Sequence, residues 1–232
     1  MSLDEHEAET QVLTLADHAN EIALLDRVLE HFLRLDVLSG QKFESQAQRL
    51  ILTLGVRSFN SLRCARDALL RGYYVQAMTL ARAALEDWVT CLYVRKYPDE
   101  AQRWYETDRP PSLGGMRRKL NHQELDATIK EAYDVLSKFS HPSFRSVAAS
   151  VDQTPGNTFL RLGGKYDAEN FTGTIYAVIV EAMRMLRVPS IYVKRVSPEW
   201  VDTMRRIEQE VIQWRNATRD RLRPPHHHCS SN

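Results

Sequence analysis

The chain has 232 residues, of which 43% are hydrophobic, enough for one well-filled core and short for two independent ones. Its 31 basic and 30 acidic side chains leave a formal net charge of +1, which argues against electrostatic attraction of the whole surface to nucleic acid or anionic lipid. We therefore predict a single domain over residues 1–215, and any contact with a charged partner must come from a local patch.

Apolar residues recur at spacings of three and four over the first hundred residues, which is typical of amphipathic helices. This pattern predicts helices over about 8–38, 42–70 and 73–96. The third of these has the clearest apolar stripe, and three alanines on the stripe allow a neighbouring helix to approach closely. It is the predicted central helix.

The following region mixes helix and loop signals. A short helix is predicted over 99–106, whereas residues 107–120 (TDRPPSLGGMRRKL) contain a Pro pair, a Gly pair and a basic cluster, the composition of a flexible connection. Asn121 and Glu124 resemble a capping box. They predict another helix, which Pro142 must stop.

Beyond this proline the periodicity changes. Apolar and polar residues alternate on both sides of a Pro-Gly turn pair, which predicts a small β-hairpin near 146–162. Asp167 and Ser197 are predicted to cap two further helices, and residues 216–232 are expected to form a disordered tail. The predicted fold is thus all-α, a bundle of about seven helices with a small β-hairpin insertion.

The sequence contains no pattern for a metal or a cofactor. No histidine has a glutamate three residues before it, as ferritin-like di-iron sites require, and there is no glycine-rich phosphate loop and no CxxC pair. Three widely spaced cysteines indicate a reducing compartment, and no apolar run approaches the roughly 18 residues of a membrane span. We expect a cytoplasmic protein with no cofactor and no membrane contact.

Two polar sets interrupt the apolar helices. Arg82 and Glu86 are four residues apart and share a face of the central helix, beside its alanines. Tyr133, Ser137 and His141 follow at i, i+4 and i+8 and line one ridge of a later helix. Because His141 precedes a proline, it lies at a helix end, where it is either a proton donor near neutral pH or only a cap for free carbonyl groups.

Two stretches are similar to the HEPN-like superfamily. The helix pair ARDALLRGYYVQAMTLARAALEDWVTCLYV resembles the opening pair of that fold, and LSKFSHPS resembles the S...H-P-S signature of a mostly bacterial and phage branch. That branch also has an Arg and a Glu four apart on its central helix. The similarity covers about residues 42–190, which we interpret as a HEPN-like core.

The resemblance implies a function in defence or toxin-antitoxin type systems, where many HEPN proteins are metal-independent endoribonucleases that work as homodimers. Their site contains an Arg, a polar residue, three further residues and a His. In this chain the His position falls on His141 and the polar position on Ser137, but the Arg position falls on Leu136. Without that cation the scissile phosphate has one stabiliser fewer, unless Arg82 or Arg145 replaces it.

Three functional interpretations remain open. The first is an endoribonuclease with His141 as acid or base and Arg82 as phosphate clamp, held by Glu86, with Ser137 and Tyr133 positioning RNA. The second is a non-catalytic module in which the same residues form a network, in a homodimer with a possible antitoxin-like protein partner. The third is a small-ligand pocket. Two sets of residues belong to these interpretations: a basic patch for RNA phosphates formed by Arg117, Arg118, Lys119 and Arg145, and pocket walls formed by Trp88, Tyr93 and Tyr133.

Overall fold

The protein is described by a computed structural model that covers residues 2–34, 45–120, 123–140, 151–154, 157–160, 163–192 and 196–222. These residues form eight helices and two short strands. The helices are α1 Leu3–Leu33, α2 Gln46–Leu70, α3 Tyr74–Lys96, α4 Asp99–Thr107, α5 Leu113–Leu120, α6 Gln123–Ser140, α7 Ala168–Tyr192 and α8 Pro198–Leu222. The all-α class is confirmed.

The two strands lie between α6 and α7. They are β1, Val151–Thr154, and β2, Asn157–Leu160, and they pair antiparallel with Val151 opposite Leu160. Both lie within the range of alternating residues near 146–162, whereas the Pro-Gly turn pair at 155–156 lies outside the described residues.

Local capping explains where several helices begin. Asp167 and Ser197 each accept the backbone N–H of the residue three positions later, at 2.9 and 3.1 Å, as predicted for N-caps. At the start of α1, Ser2 Oγ accepts the backbone N–H of Glu5 at 3.2 Å, while a Glu5 carboxylate oxygen accepts that of Ser2 at 2.7 Å. This capping box starts α1 at Leu3, so the predicted start near residue 8 was wrong.

The predicted flexible connection over 107–120 contains a helix, α5. Ser112 Oγ accepts the backbone N–H of Gly115 at 3.1 Å, and Met116 and Leu120, one turn apart, are both buried in the core. Burial of these two side chains offsets the roughly 1 kcal/mol that each glycine costs in a helix. The prediction of a loop over this whole stretch was therefore wrong.

The C-terminal helices extend further than predicted. The helix α7 continues through Pro189 to Tyr192. The helix α8 continues to Leu222, and Thr218 is buried within its last two turns, so residues 216–222 are helical and do not belong to a disordered tail. Residues 223–232 lie outside the described part of the chain, as do residues 35–44, where α1 was predicted to end.

The helix α3 is the centre of the bundle. It packs against α2, α4, α5, α6 and α7, and its three stripe alanines, Ala77, Ala81 and Ala84, have no exposed surface. Small side chains at these positions let the neighbouring backbones approach closely, as the sequence predicted. One cluster of buried hydrophobic residues includes side chains from α1 to α8. Within the described residues, every helix is too short or too polar to cross a membrane.

The turn between α2 and α3 packs tightly against the residues that precede α7. Gly72 has a φ of +78°, and a Cβ atom at this position would lie 2.5 Å from the backbone nitrogen of Lys165. A side chain at Gly72 is therefore excluded by both backbone conformation and space. Tyr74 adds a polar link, because its hydroxyl accepts the backbone N–H of Asp167 at 3.0 Å.

A reciprocal pair of hydrogen bonds joins α1 to the start of α8. His31 Nε2 lies 2.9 Å from the carbonyl oxygen of Trp200, and Trp200 Nε1 donates to the carbonyl oxygen of His31 at 3.1 Å. The two rings stack with centroids 4.5 Å apart. Because a carbonyl only accepts, the proton of the neutral imidazole is on Nε2. The other ring nitrogen, Nδ1, is buried and has no partner among the described residues.

This pair predicts a loss of stability in mild acid. Burial lowers the pKa of His31 below its ordinary 6.5, and the positive charges of Arg34 and Arg206 act in the same direction. Since the unfolded chain then binds the proton more readily, stability is complete above about pH 6.5 and falls at lower pH, by up to about 1.4 kcal/mol per pH unit. The check is the melting temperature of the wild type and His31→Phe between pH 7.5 and 5.5.

The variant His31→Phe keeps an aromatic ring on Trp200 but has no titrating group. We expect it to melt lower than the wild type at pH 7.5, and to lose less stability on acidification. An equal fall in both proteins would show that another group is responsible for the pH dependence.

Candidate functional site

The sequence-predicted residues Arg82, Glu86 and Tyr133 meet between α3 and α6. Arg82 Nε donates to a carboxylate oxygen of Glu86 at 3.0 Å, and Arg82 Nη2 donates to the hydroxyl of Tyr133 at 2.5 Å. The guanidinium carbon lies 4.6 Å from the centroid of the tyrosine ring, within cation–π range. The Arg82 side chain is only 16% exposed. The three residues therefore link the central helix to α6 through a largely buried cation.

The ridge of α6 continues from Tyr133 to Ser137. Ser137 Oγ is buried, and it has no hydrogen-bond partner among the described residues. A buried hydroxyl without a partner costs free energy, so α6 has an unsatisfied polar atom one turn after Tyr133. His141 and Arg145 lie outside the described residues, and their predicted roles stay predictions.

In this chain the motif position that holds Arg in HEPN nucleases is Leu136, and its environment is apolar. Leu136 is 2% exposed and belongs to the hydrophobic core. A side chain at this position therefore points into the hydrophobic core. Replacement of Leu136 by Arg would bury a charge, which is costly without a paired carboxylate.

The predicted basic patch lies partly on α5, and its three α5 side chains differ in exposure and in their contacts. Lys119 Nζ lies 3.1 Å from both the Tyr93 hydroxyl and a Glu100 carboxylate oxygen, and these hydrogen bonds raise the pKa of Lys119. Lys119 is thus engaged by the protein itself. Arg118 is exposed and Arg117 is half-buried, so the three residues do not present one uniform phosphate-binding surface.

The aromatic residues proposed as pocket walls have three separate environments. Tyr93 contacts Lys119, Tyr133 contacts Arg82, and the guanidinium of Arg184 lies 5.4 Å from the Trp88 ring. Each ring is next to a different cation on a different helix. Among the described residues, no ring contact joins any two of these three aromatic side chains.

A buried carboxylate on α3 was missed by the sequence reasoning. Asp87 is 1% exposed and accepts three hydrogen bonds, from Ser58 Oγ at 2.7 Å, from Arg57 Nε at 3.0 Å and from Arg57 Nη2. These bonds raise the pKa of Arg57. A signal was present in the sequence, because Asp87 falls between Ala84 and Cys91 at the spacing of the buried face.

A second buried carboxylate, Glu181, lies on α7. It is 2% exposed, and one of its oxygens accepts from Arg184 Nη1 one turn later. Its other oxygen, Oε2, is buried and has no hydrogen-bond partner among the described residues. Burial raises the pKa of this carboxyl, although the positive charge of Arg184 opposes the shift. A signal of the same kind was present in the sequence, because Glu181 falls between Val178 and Met185 at the spacing of the buried face of the helix.

The described residues contain no group of three or more His, Cys, Asp or Glu side chains that could hold a metal ion. Comparisons of the chain with protein-family models, curated proteins and solved structures find no match. The arguments on function therefore rest on the chemistry of these side chains and on the resemblance described above.

The Asp87 network predicts an unequal response to loss of its two charges. Arg57→Ala leaves Asp87 buried with one hydroxyl donor, so we expect destabilisation by about 3 kcal/mol, although the Arg57 side chain is 63% exposed. Asp87→Asn leaves an exposed arginine that water can solvate, and should cost less. Urea unfolding of both single variants and the double variant measures the difference.

The double variant is the internal control. If the cost of Arg57→Ala comes from the stranded carboxylate, combining it with Asp87→Asn should restore part of the stability lost. Strictly additive losses would contradict this account and assign the effect to the packing of the Arg57 stem.

Proposed function

We propose that the protein is a HEPN-like helical module that acts by binding and not by catalysis. The observation that carries this proposal is the environment of the motif position. Leu136 stands where the nucleases have Arg, and its side chain is buried in the hydrophobic core. A phosphate-binding cation cannot be presented from this position without disrupting the core.

The bonding of Arg82 supports the same proposal. A phosphate clamp must direct N–H groups toward its substrate. The Nε and Nη2 groups of Arg82 instead donate to Glu86 and Tyr133, and only 16% of the side chain is exposed. These contacts favour a network that holds α6 on α3.

The biological setting of the module rests on the resemblance. We propose a cytoplasmic homodimer in a defence or toxin-antitoxin type system, with an antitoxin-like protein as the partner. In this proposal residues 42–190 are the HEPN-like core and residues 146–162 are a β-hairpin insertion between α6 and α7. The near-zero net charge supports a protein partner more than a nucleic acid.

One observation favours the alternative, a metal-independent endoribonuclease. Ser137 occupies the polar position of the nuclease motif, and its buried hydroxyl has no partner among the described residues. In an enzyme, this hydroxyl and Tyr133 would position RNA for His141, with Arg82 and Glu86 stabilising the charge that develops on the phosphate.

Incubation of the purified protein with a labelled mixed RNA in EDTA distinguishes the two functions. We expect no cleavage by the wild type, by His141→Ala or by Arg82→Ala. Cleavage by the wild type that disappears in both variants, while their melting stays native, would replace the module with the enzyme. A matched control is Arg63→Ala, which removes an exposed arginine of α2 that belongs neither to the network nor to the predicted basic patch.

The module proposal also predicts a measurable coupling between Arg82 and Tyr133. Tyr133→Phe keeps the ring beneath the guanidinium but removes the hydroxyl, and should cost about 1 kcal/mol of stability. In a double-mutant cycle with Arg82→Ala, we expect a coupling energy of about 0.5–3 kcal/mol. Independent losses in urea unfolding would mean that the network does not stabilise the fold.

A further inference from the structure

The first half of α1, residues 3–17, reverses the usual distribution of apolar and polar side chains. Its buried residues are Thr10 and Thr14, whereas each of its apolar residues is exposed. The exposed apolar residues are Leu3, Ala8, Val12, Leu13, Leu15 and Ala16. Burial of apolar surface is the main favourable term in folding, so a helix that packs only on its own chain is expected to turn such residues inward. This half of α1 therefore presents to solvent the kind of surface that a binding partner covers.

Val12 is at the centre of the exposed face. It is 66% exposed, and Thr10 and Thr14 are each two residues away, about 200° around the helix, so they point to the opposite side. The exposed apolar residues three or four positions from Val12 are Ala8, Leu15 and Ala16. Side chains at these spacings are neighbours on a helix, so these three and Val12 form one continuous surface, which we call the α1 stripe.

Contacts on its other side hold this part of α1 in place. Arg71 and the Tyr73 hydroxyl both donate to the carboxylate of Glu7, and the Tyr166 hydroxyl donates to that of Asp17. The whole helix packs against α2, α7 and α8. Because the stripe is carried by a helix that is already formed and anchored, binding there does not include the entropic cost of ordering the helix.

The charges around the α1 stripe restrict what the partner can be. The exposed carboxylates of this half of the helix are those of Asp4, Glu5, Glu9 and Asp17, and α1 has no Lys or Arg before Arg27. This negative charge repels nucleic acid and anionic lipid. A second α1 helix laid on the stripe would bring carboxylates next to carboxylates. A helix with one apolar face flanked by Lys or Arg side chains matches both the stripe and its charges.

We propose that the α1 stripe binds a basic amphipathic helix of a protein partner, with the apolar side chains of that helix on Val12 and Leu15 and its Lys or Arg side chains near Glu5 and Glu9. This inference rests on the proposed function, because it names the surface at which the module binds its protein partner. The two can fail separately. Cleavage of RNA in EDTA would remove the module, whereas the peptide experiment below would remove only the docking surface.

The test titrates three synthetic peptides of about 18 residues into the full-length protein, followed by isothermal titration calorimetry. The first peptide has Leu at i, i+3, i+4 and i+7 and Lys at the other positions. The second has the same composition in an order that scatters Leu around the helix, and the third has Glu in place of each Lys of the first. We expect the first peptide to bind at least about tenfold more tightly than either of the others.

Three results would overturn the proposal. Equal binding of the first and second peptides would show that charge alone attracts them. Equal binding of the first and third would show that the carboxylates of α1 do not select a basic partner. Absence of binding by the first peptide at millimolar concentration would show that the α1 stripe does not receive such a helix.

One substitution locates the binding. Val12→Lys places a positive charge at the centre of the α1 stripe and should weaken binding of the first peptide at least about tenfold. The variant should fold like the wild type, because Val12 is exposed and lysine is the better helix former. The matched control, Val56→Lys, makes the same change at an exposed valine of α2 and should bind like the wild type. Equal binding by Val12→Lys and the wild type would place the peptide elsewhere and overturn the proposal.

Sedimentation of the same proteins tests a second copy of the chain as the occupant. We expect Val12→Lys to have the same oligomeric state as the wild type, because like charges oppose pairing of two α1 helices. A wild-type dimer that dissociates in Val12→Lys but not in Val56→Lys would assign the α1 stripe to a second copy and overturn the proposal of a basic partner.

Discussion

The hydrogen-bonded carboxylate of Asp87 is the constraint on which the bundle depends. The helix α3 is enclosed by five other helices, so any charge on its buried face must be neutralised by a neighbour. Arg57 and Ser58 supply all three hydrogen bonds from α2. The pairing requires one rotation of α3 relative to α2, because a turn of 100° about its axis would leave both the carboxylate and Ser58 without partners.

That rotation also sets the other polar contacts of α3. Successive residues of a helix point about 100° apart, so Glu86, Asp87 and Trp88 face three directions. Glu86 accepts a hydrogen bond from Arg82, which also contacts α6. Asp87 accepts hydrogen bonds from α2, and the Trp88 ring lies next to the Arg184 guanidinium of α7. The polar contacts of α3 with α2, α6 and α7 therefore depend on the same rotation of this helix.

The sequence predicted the features that depend on residues close together along the chain. The apolar stripe of α3 and the caps at Asp167 and Ser197 follow from residues three or four apart, and all three were correct. The helix α5 was missed because Pro and Gly are local signals of a loop, whereas the burial of its apolar residues is a tertiary effect. The face shared by Arg82 and Glu86 was predictable, but the contact with Tyr133 joins residues 51 apart. Asp87 was missed for the same reason, because its partner is 30 residues away.

Among the described residues, the two buried carboxylates differ in how completely the protein satisfies their oxygens. Asp87 accepts three hydrogen bonds from its own chain, so nothing further is needed to stabilise it. Glu181 is as deeply buried, but its Oε2 atom has no hydrogen-bond partner among the described residues. If Glu181 served only to hold α7 in place, a residue of similar size without charge would do so at lower cost. The unsatisfied oxygen is therefore a cost of keeping this carboxylate in the core, which only its bond to Arg184 offsets among the described residues.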